Sequence, residues 1–348
     1  MEEHGEDLQD QGGAAQGSTR RLPFRFTGGA GEYFRIWIVN VLLSIVTLGV
    51  YSAWAKVRNK QYFYRHTWVG ESCFEYHGDP ILILKGRLII GGFFAAMFLS
   101  QWYSPVLYLL LGLVLFVLSP WIAVKAMSFN ARNSSYRNVR FSFRGDVGTA
   151  YQIFLLMPIL NVFALGFLAP LIHQQTVRFT VSNHRYGKSC LSFRGLAGPF
   201  YLVYFMALLM MIGIMVLIFP MLLTGSVDEA PDVLPIVVLY LAFLLPTAFI
   251  KASVANLTFN NTHLEKHRFA SQQAVMPLLF IYVINLVGIF VSLGLLVPWA
   301  KVRLARYRAT CLTLLPDGGL EVLVDKEREE QSAIGEAAAD FGDFDFGI

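Results

Sequence analysis

Charge is what this chain is short of. Only 15% of its 348 residues are Asp, Glu, Lys or Arg, against 55% apolar, whereas a soluble domain carries about a quarter charged residues. That balance argues against a soluble globular fold and makes the bilayer the expected solvent. Several uncharged runs reach the roughly 20 apolar residues that a crossing helix needs. Cysteine is scarce as well. Cys73, Cys190 and Cys311 form no CxxC pair, which excludes a disulfide framework and points to a reducing compartment. The chain has no P-loop, no GxGxxG after a strand, no GxSxG and no HExxH. None of the body's ten carboxylates lies well inside an apolar run, so paired acid–base catalysis and an intramembrane proton relay have no obvious residues. His263 and His267, four apart, would share a helix face, but Glu265 would point elsewhere on it and no third ligand stands near; neither metal nor cofactor is expected. The first residues are acidic and rich in Gly and Gln, not basic and then apolar, so no signal peptide is read there.

The charge that is present is partitioned. Residues 1–22 hold five acids and two bases, and residues 321–348 nine acids and two bases. Of the chain's 28 bases and 24 acids, the body from 23 to 320 therefore keeps 24 and 10, a net of +14 between two acidic tails. Such a body suits anionic lipid on the cytoplasmic side. Nucleic acid is not an expected partner, because the basic residues do not form a soluble face interleaved with aromatics.

What the chain does have is repetition. Tyr33 to Arg58 is an apolar run broken at Leu48-Gly49 and closed by Trp54-Ala-Lys-Val-Arg58; it returns as Phe280 to Arg303, broken at Leu293-Gly294 and closed by Trp299-Ala-Lys-Val-Arg303. A degraded copy from Pro158 to Arg178 keeps Asn161 and Leu165-Gly166 but has His173 in place of the lysine. A second phrase alternates like a short strand ended by glycine: Phe24-Arg-Phe-Thr-Gly28, Phe74-Glu-Tyr-His-Gly78, Phe141-Ser-Phe-Arg-Gly145 and Leu191-Ser-Phe-Arg-Gly195. Fixed spacing of this kind indicates tandem duplication. The three cysteines align within it and read as packing residues.

Four further apolar segments form two pairs, Gly86–Tyr103 with Pro105–Val124 and Phe200–Leu223 with Val233–Ile250. The linker from Thr224 to Asp232 holds Asp228, Glu229 and Asp232 and no base, so each pair reads as a full-span hairpin with its tip outside. Seven single crossings would leave basic connections on both sides of the membrane. Three Gly-broken modules that enter and leave on one side remove that conflict, since glycine permits the turn a re-entrant unit requires. The 20 residues from Ile36 to Ala55 are also long enough for a plain crossing, which stays the alternative.

The expected fold is thus an all-α, polytopic integral membrane protein with internal pseudo-repeats. It combines Gly-broken, re-entrant helices with full-span helical hairpins and small β elements in the cytoplasmic connections. The expected division is a disordered acidic tail (1–22), a first membrane repeat (23–145), a second (146–271), a partial third (272–318) and an acidic C-terminal tail (319–348), with both termini cytoplasmic.

Phe24-x-Phe-x-Gly28 followed by Gly31-Glu-Tyr-Phe34, Trp37, Asn40, Thr47-Leu48-Gly49-Val-Tyr51, Trp54-Ala-Lys-Val-Arg58, Tyr62-Phe-Tyr64 and Phe74-Glu-Tyr-His-Gly78 resembles the YjgN-like family of bacterial inner-membrane proteins, which carry a domain of unknown function. The resemblance extends over about residues 22–348. It implies a multipass protein of the inner membrane and supplies no activity, cofactor or catalytic residue.

The candidate residues follow from the repeats. Trp54, Lys56, Arg58, Arg178, Trp299, Lys301 and Arg303 suit helices emerging into an anionic interface, either as simple anchors or as a site for phosphate headgroups or an anionic solute. Asn40, Asn161 and Asn285 lie in apolar runs, where an amide needs a partner; they would bond one another, cap the turn or line a polar pathway. Two functions are carried forward. One is a transport or channel-like role for an anionic or amphipathic solute or lipid, with broken helices building the site. The other is a non-catalytic membrane protein that binds anionic lipid or a partner protein through its basic cytoplasmic face.

Overall fold

A computed structural model describes residues 21–223, 233–317 and 324–329. Residues 1–20 of the acidic N-terminal tail, the linker with Asp228, Glu229 and Asp232, and most of the acidic C-terminal tail lie outside the described residues.

Among the described residues, ten short strands organise the fold: β1 (Leu22–Phe26), β2 (Thr67–Val69), β3 (Ser72–Tyr76), β4 (Ser134–Tyr136), β5 (Val139–Phe143), β6 (His184–Tyr186), β7 (Ser189–Phe193), β8 (Thr262–Leu264), β9 (His267–Ser271) and β10 (Leu312–Leu315). Each pairs antiparallel with its neighbour in the chain, and β10 pairs with β1, which closes a barrel. This corrects the all-α expectation with β structure confined to small separate elements. The alternating phrase had marked β1, β3, β5 and β7. Their three-residue partners are too short to show a period of two, and pairing across tens of residues leaves no local signal.

The two rims of the barrel differ. On one, β2–β3, β4–β5, β6–β7 and β8–β9 are joined by two-residue turns, bracketed by the pairs Val69↔Ser72, Tyr136↔Val139, Tyr186↔Ser189 and Leu264↔His267. Left-handed backbone at Gly70, Arg137, Asn138, Gly187 and Glu265 makes these turns tight. On the other rim the pairs Phe26↔Thr67, Tyr76↔Ser134, Phe143↔His184, Phe193↔Thr262 and Leu312↔Ser271 each bracket a helical excursion. Every excursion therefore leaves and returns at neighbouring strands of the same rim.

Two excursions are long hairpins: α3 (Pro80–Tyr103) with α4 (Pro105–Arg132), and α8 (Ala197–Leu223) with α9 (Val233–Asn260). Asp79 and Ser104 cap α3 and α4 by accepting from Ile81 N (2.8 Å) and Leu107 N (3.3 Å), and Pro80 and Pro105 follow as first helical residues. Four stretches in these helices are long and apolar enough to cross a membrane: Pro80–Tyr103, Pro105–Arg132, Ala197–Phe219 and Ala242–Asn260. Large apolar side chains such as Ile89, Phe98, Leu109 and Leu217 stand exposed along them, a surface that hydrocarbon satisfies and water does not.

The other three excursions are broken helices: α1 (Ala30–Val46) with α2 (Ser52–Arg65); α5 (Val147–Tyr151) and α6 (Met157–Phe163) with α7 (Ala169–Ser182); and α10 (Val275–Val291) with α11 (Val297–Thr310). One turn recurs in all three. Leu48, Leu165 and Leu293 adopt φ of 49°, 51° and 50°, the next glycine adopts 90°, 89° and 91°, and that glycine's N–H reaches five residues back to Ser44, Asn161 or Ile289 O. This is a Schellman-type stop, which reverses the chain so that the second helix packs on the first. Between α5 and α6, residues Gln152–Leu156 widen into a π-helical turn, as expected where Pro158 supplies no N–H and crowds the carbonyl four residues earlier.

The barrel is filled, not hollow. Phe24, Phe74, Phe141, Leu191 and Phe269 pack against a cluster of Val69, Tyr136, Val139, Tyr186, Leu264 and Leu314. The phenols inside are satisfied: Tyr136 OH donates to Val69 O (2.8 Å) and Tyr186 OH to Tyr136 O (3.1 Å). Burial holds both above the usual phenol pKa. Val324, from the helical turn 324–329, completes this cluster. Glu327, 1% exposed, accepts from Lys188 N (2.6 Å), Ser189 N (3.1 Å) and Ser189 Oγ (2.6 Å) at the β6–β7 turn. His263 and His267 lie on adjacent strands and not on a helix. Cys73 and Cys190 sit in β3 and β7, but Cys311 caps α11 ahead of β10, so its sequence alignment with the other two does not hold in space.

Candidate functional site: a chamber under the barrel

At the helical rim, the second helix of every excursion runs toward the barrel mouth, and together they enclose a chamber of about 800 Å³. Its roof is the aromatic layer of the barrel, with Phe24, Phe74, Phe141 and Phe269. Its walls come from Phe63 and Tyr64 on α2, Asn130 and Ala131 on α4, His173 on α7, Lys251, Val254 and Phe259 on α9, and Ala305 and Arg308 on α11. The lining holds Lys251, Arg308, His173 and His184 and no carboxylate.

Such a surface is apolar in area and positive in charge. His173 Nδ1 shares a hydrogen bond with Tyr204 OH (2.8 Å), and burial, then the charge of Lys251, hold its pKa below the usual imidazole value. The ring is therefore neutral at pH 7. Lys60, one turn back on α2, donates to Asn130 on the chamber wall and sits 4.6 Å from the centre of the Tyr76 ring. Burial and then the charge of Lys56 depress its pKa to about 8.

The residues singled out by sequence do not converge here. Trp54 stacks on Tyr51, with ring centres 6.1 Å apart, and Arg58 Nη1 donates to Tyr51 OH (3.1 Å). Lys56 faces a groove between α3 and α4. Arg178 is exposed. Arg303 lies 5.1 Å from the centre of the Trp299 ring, and Lys301 lines a pocket of about 300 Å³ with Trp37, Asn40 and Asn59. The three asparagines act locally. Asn161 Oδ1 accepts from Leu168 N (2.9 Å) across the Leu-Gly turn, Asn40 Nδ2 donates to Asn59 Oδ1 (3.4 Å), and Asn285 Nδ2 donates to Ala300 O (3.3 Å). Each ties the two helices of its own module together, and none touches another.

Sequence reasoning singled out neither Lys251 nor Arg308 as a site residue. The usable signal was position: Lys125, Lys251 and Arg308 each fall on the second helix of an excursion, 9, 11 and 4 residues before the next strand.

The sequence has relatives among known proteins. Residues 21–341 match the family described as "Bacterial protein of unknown function (DUF898)". The chain is 31% identical over 142 residues to inner membrane protein YjgN of Salmonella typhimurium strain LT2, covering 40% of this chain and 36% of that protein. It is 32% identical over 144 residues to inner membrane protein YjgN of Escherichia coli O157:H7, covering 41% and 36%, and 32% identical over 145 residues to that of strain K12. The matched part thus spans about a third of the length of these relatives. No solved structure matches the chain. With the family match running from β1 past β10 and through the described C-terminal turn, this polytopic membrane protein belongs to the DUF898 family of bacterial proteins of unknown function.

Proposed function

We propose that this inner-membrane protein binds an anionic amphiphile in the chamber beneath its barrel, as the recognition step of transport. The observation that carries the reading is the chamber lining: Lys251 and Arg308 set among aromatic and aliphatic walls, with no carboxylate among the lining residues. Uncompensated cations in a largely apolar cavity favour a ligand with one anionic end and a greasy body. The filled barrel interior argues against a continuous pore along its axis, so a carrier with an occluded site fits better than an open channel.

The test is titration of the purified protein with a dansyl-labelled fatty acid. Changing Lys251 and Arg308 to Gln together is expected to weaken binding by at least tenfold, about 1.4 kcal/mol or more. Ala255→Trp, which fills the chamber without touching its charges, is expected to do the same. Affinity within twofold of the parent in both variants would overturn the reading. Uptake of the same probe into proteoliposomes separates transport from binding alone.

Acid should strengthen binding. Because burial and the charge of Lys251 hold His173 below its usual pKa, protonation adds a positive charge to the chamber only below pH 6.5. Affinity for a dansyl-labelled alkyl sulfonate, whose head group stays charged across this range, is expected to rise from pH 7 to pH 5 in the parent and to rise less in His173→Gln.

The second reading, a surface that binds anionic lipid, draws on a different feature. Arg25, Arg140, Arg185 and Arg268 lie at outward-facing, exposed or half-buried positions on four strands of the barrel, where a belt of positive charge would meet headgroups.

A further inference from the structure

Next to the chamber, with Asn130 in the lining of both, α2 and the α3–α4 hairpin enclose a groove of about 370 Å³. Gly86 lines it, and an added Cβ there would meet nothing within 4 Å. Ile89, Ile90, Phe93, Leu115 and Leu118 line its length, and these belong to two helices long and apolar enough to span the membrane. At one end stand three cations from three helices: Lys56 on α2, Arg87 on α3 and Lys125 on α4. Arg87 Nη1 donates to Ser52 Oγ, which fixes the guanidinium at the groove. Lys125 Nζ lies 5.7 Å from the centre of the Trp121 ring. No carboxylate among the described residues pairs with any of the three. The cluster is electrostatically unfinished: burial, and then the charge of Arg87, hold Lys56 below the usual lysine pKa.

We infer that this groove is a binding site for one anionic phospholipid, its phosphate on Lys56, Arg87 and Lys125 and an acyl chain along α3 and α4. Three donors converging on one phosphate make charge-assisted hydrogen bonds. A tryptophan beside them suits the headgroup level, and the apolar continuation suits a chain and not a soluble anion. The site shares no cation with the chamber, so either can fail without the other.

Native mass spectrometry of the full chain, released from detergent after mixing with equal phosphatidylglycerol and phosphatidylcholine, reads the site directly. The parent is expected to retain phosphatidylglycerol in preference. Changing Lys56, Arg87 and Lys125 to Gln together is expected to lower its retention at least tenfold, whereas Lys85→Gln, an exposed charge on the same helix that does not line the groove, leaves it within twofold. Gly86→Phe keeps every charge and blocks the groove; it should lose phosphatidylglycerol as the triple variant does, which covers the case in which the triple variant fails to fold. Glycerol phosphate should not displace the lipid. The proposal is overturned if Gly86→Phe or a folded triple variant retains the parent's preference, if Lys85→Gln loses as much, or if glycerol phosphate competes, which would make the site one for a free anion.

Discussion

At the scale of single residues, the glycine of the strand phrase has a steric cause. A Cβ on Gly28, Gly78, Gly145 or Gly195 would lie 2.7, 2.6, 2.6 and 2.2 Å from the ring of the aromatic residue two positions earlier, which folds back over it. The fifth odd strand shows the same rule in reverse. In β9 the corresponding residues read Phe269-Ala-Ser271-Gln-Gln273, and with no ring at Ser271 no glycine is needed at Gln273. That copy was illegible in the sequence because both halves of its signature had changed together. Gly195→Ala is expected to destabilise the protein by about 1–3 kcal/mol through overpacking, while Gly198→Ala, an open helical position, should gain a few tenths to about 1 kcal/mol; equilibrium unfolding in detergent compares the two. Lys60 gives a pH signature. Its folded pKa of about 8 lies below the unfolded value of about 10.4, so between those values the unfolded chain holds the extra proton. Its contribution therefore makes stability rise with pH from 8 to 10.4 and level off beyond. Lys60→Met should flatten that rise, as thermal melts at pH 8 and 10 would reveal.

Among elements, the broken helices were the most legible feature, because their punctuation is local. Leu-Gly in the middle of an apolar run marks a stop whichever way the helices lie. The turns carry a cost: leucine in the left-handed region is strained by about 1–2 kcal/mol, and the glycine that follows relieves the next residue of the same burden. Replacing Gly49, Gly166 or Gly294 by Ala leaves room for the methyl but imposes φ near 90° on an L-residue. Each change should cost about 1–2 kcal/mol, and equal costs at all three would be the energetic counterpart of their shared geometry. The short even-numbered strands were illegible for the opposite reason. Thr67–Val69 or Thr262–Leu264 has no pattern of its own and is a strand only because the two odd strands beside it supply partners on both edges.

For the molecule as a whole, the chamber could not be read from the chain, since Phe24 and Arg308 meet in one lining across 284 positions. The acidic C-terminal stretch was also more than a tail: Val324 and Glu327 close the turn-bearing end of the barrel. Gly187 serves that contact twice, by its φ of 59° and by the absence of a side chain where Glu327 Oε2 would lie 2.0 Å from a Cβ. Glu327→Gln keeps the shape and removes the charge. It is expected to raise amide hydrogen exchange at Lys188 and Ser189 about tenfold, with the amides of β1 and β2 unchanged.

The register between Leu22 and Leu314 has a consequence for biogenesis. Of the ten barrel strands, the one made first, β1, finds one of its two neighbours, β10, only when the other nine have been made. Until then the nascent ring has two open edges, the kind of template that recruits foreign strands. A chain arrested before Leu312 should consequently be a substrate for quality-control proteases even with its spanning helices inserted, and release of the stretch that includes Leu312–Leu315 should be the moment at which it becomes resistant.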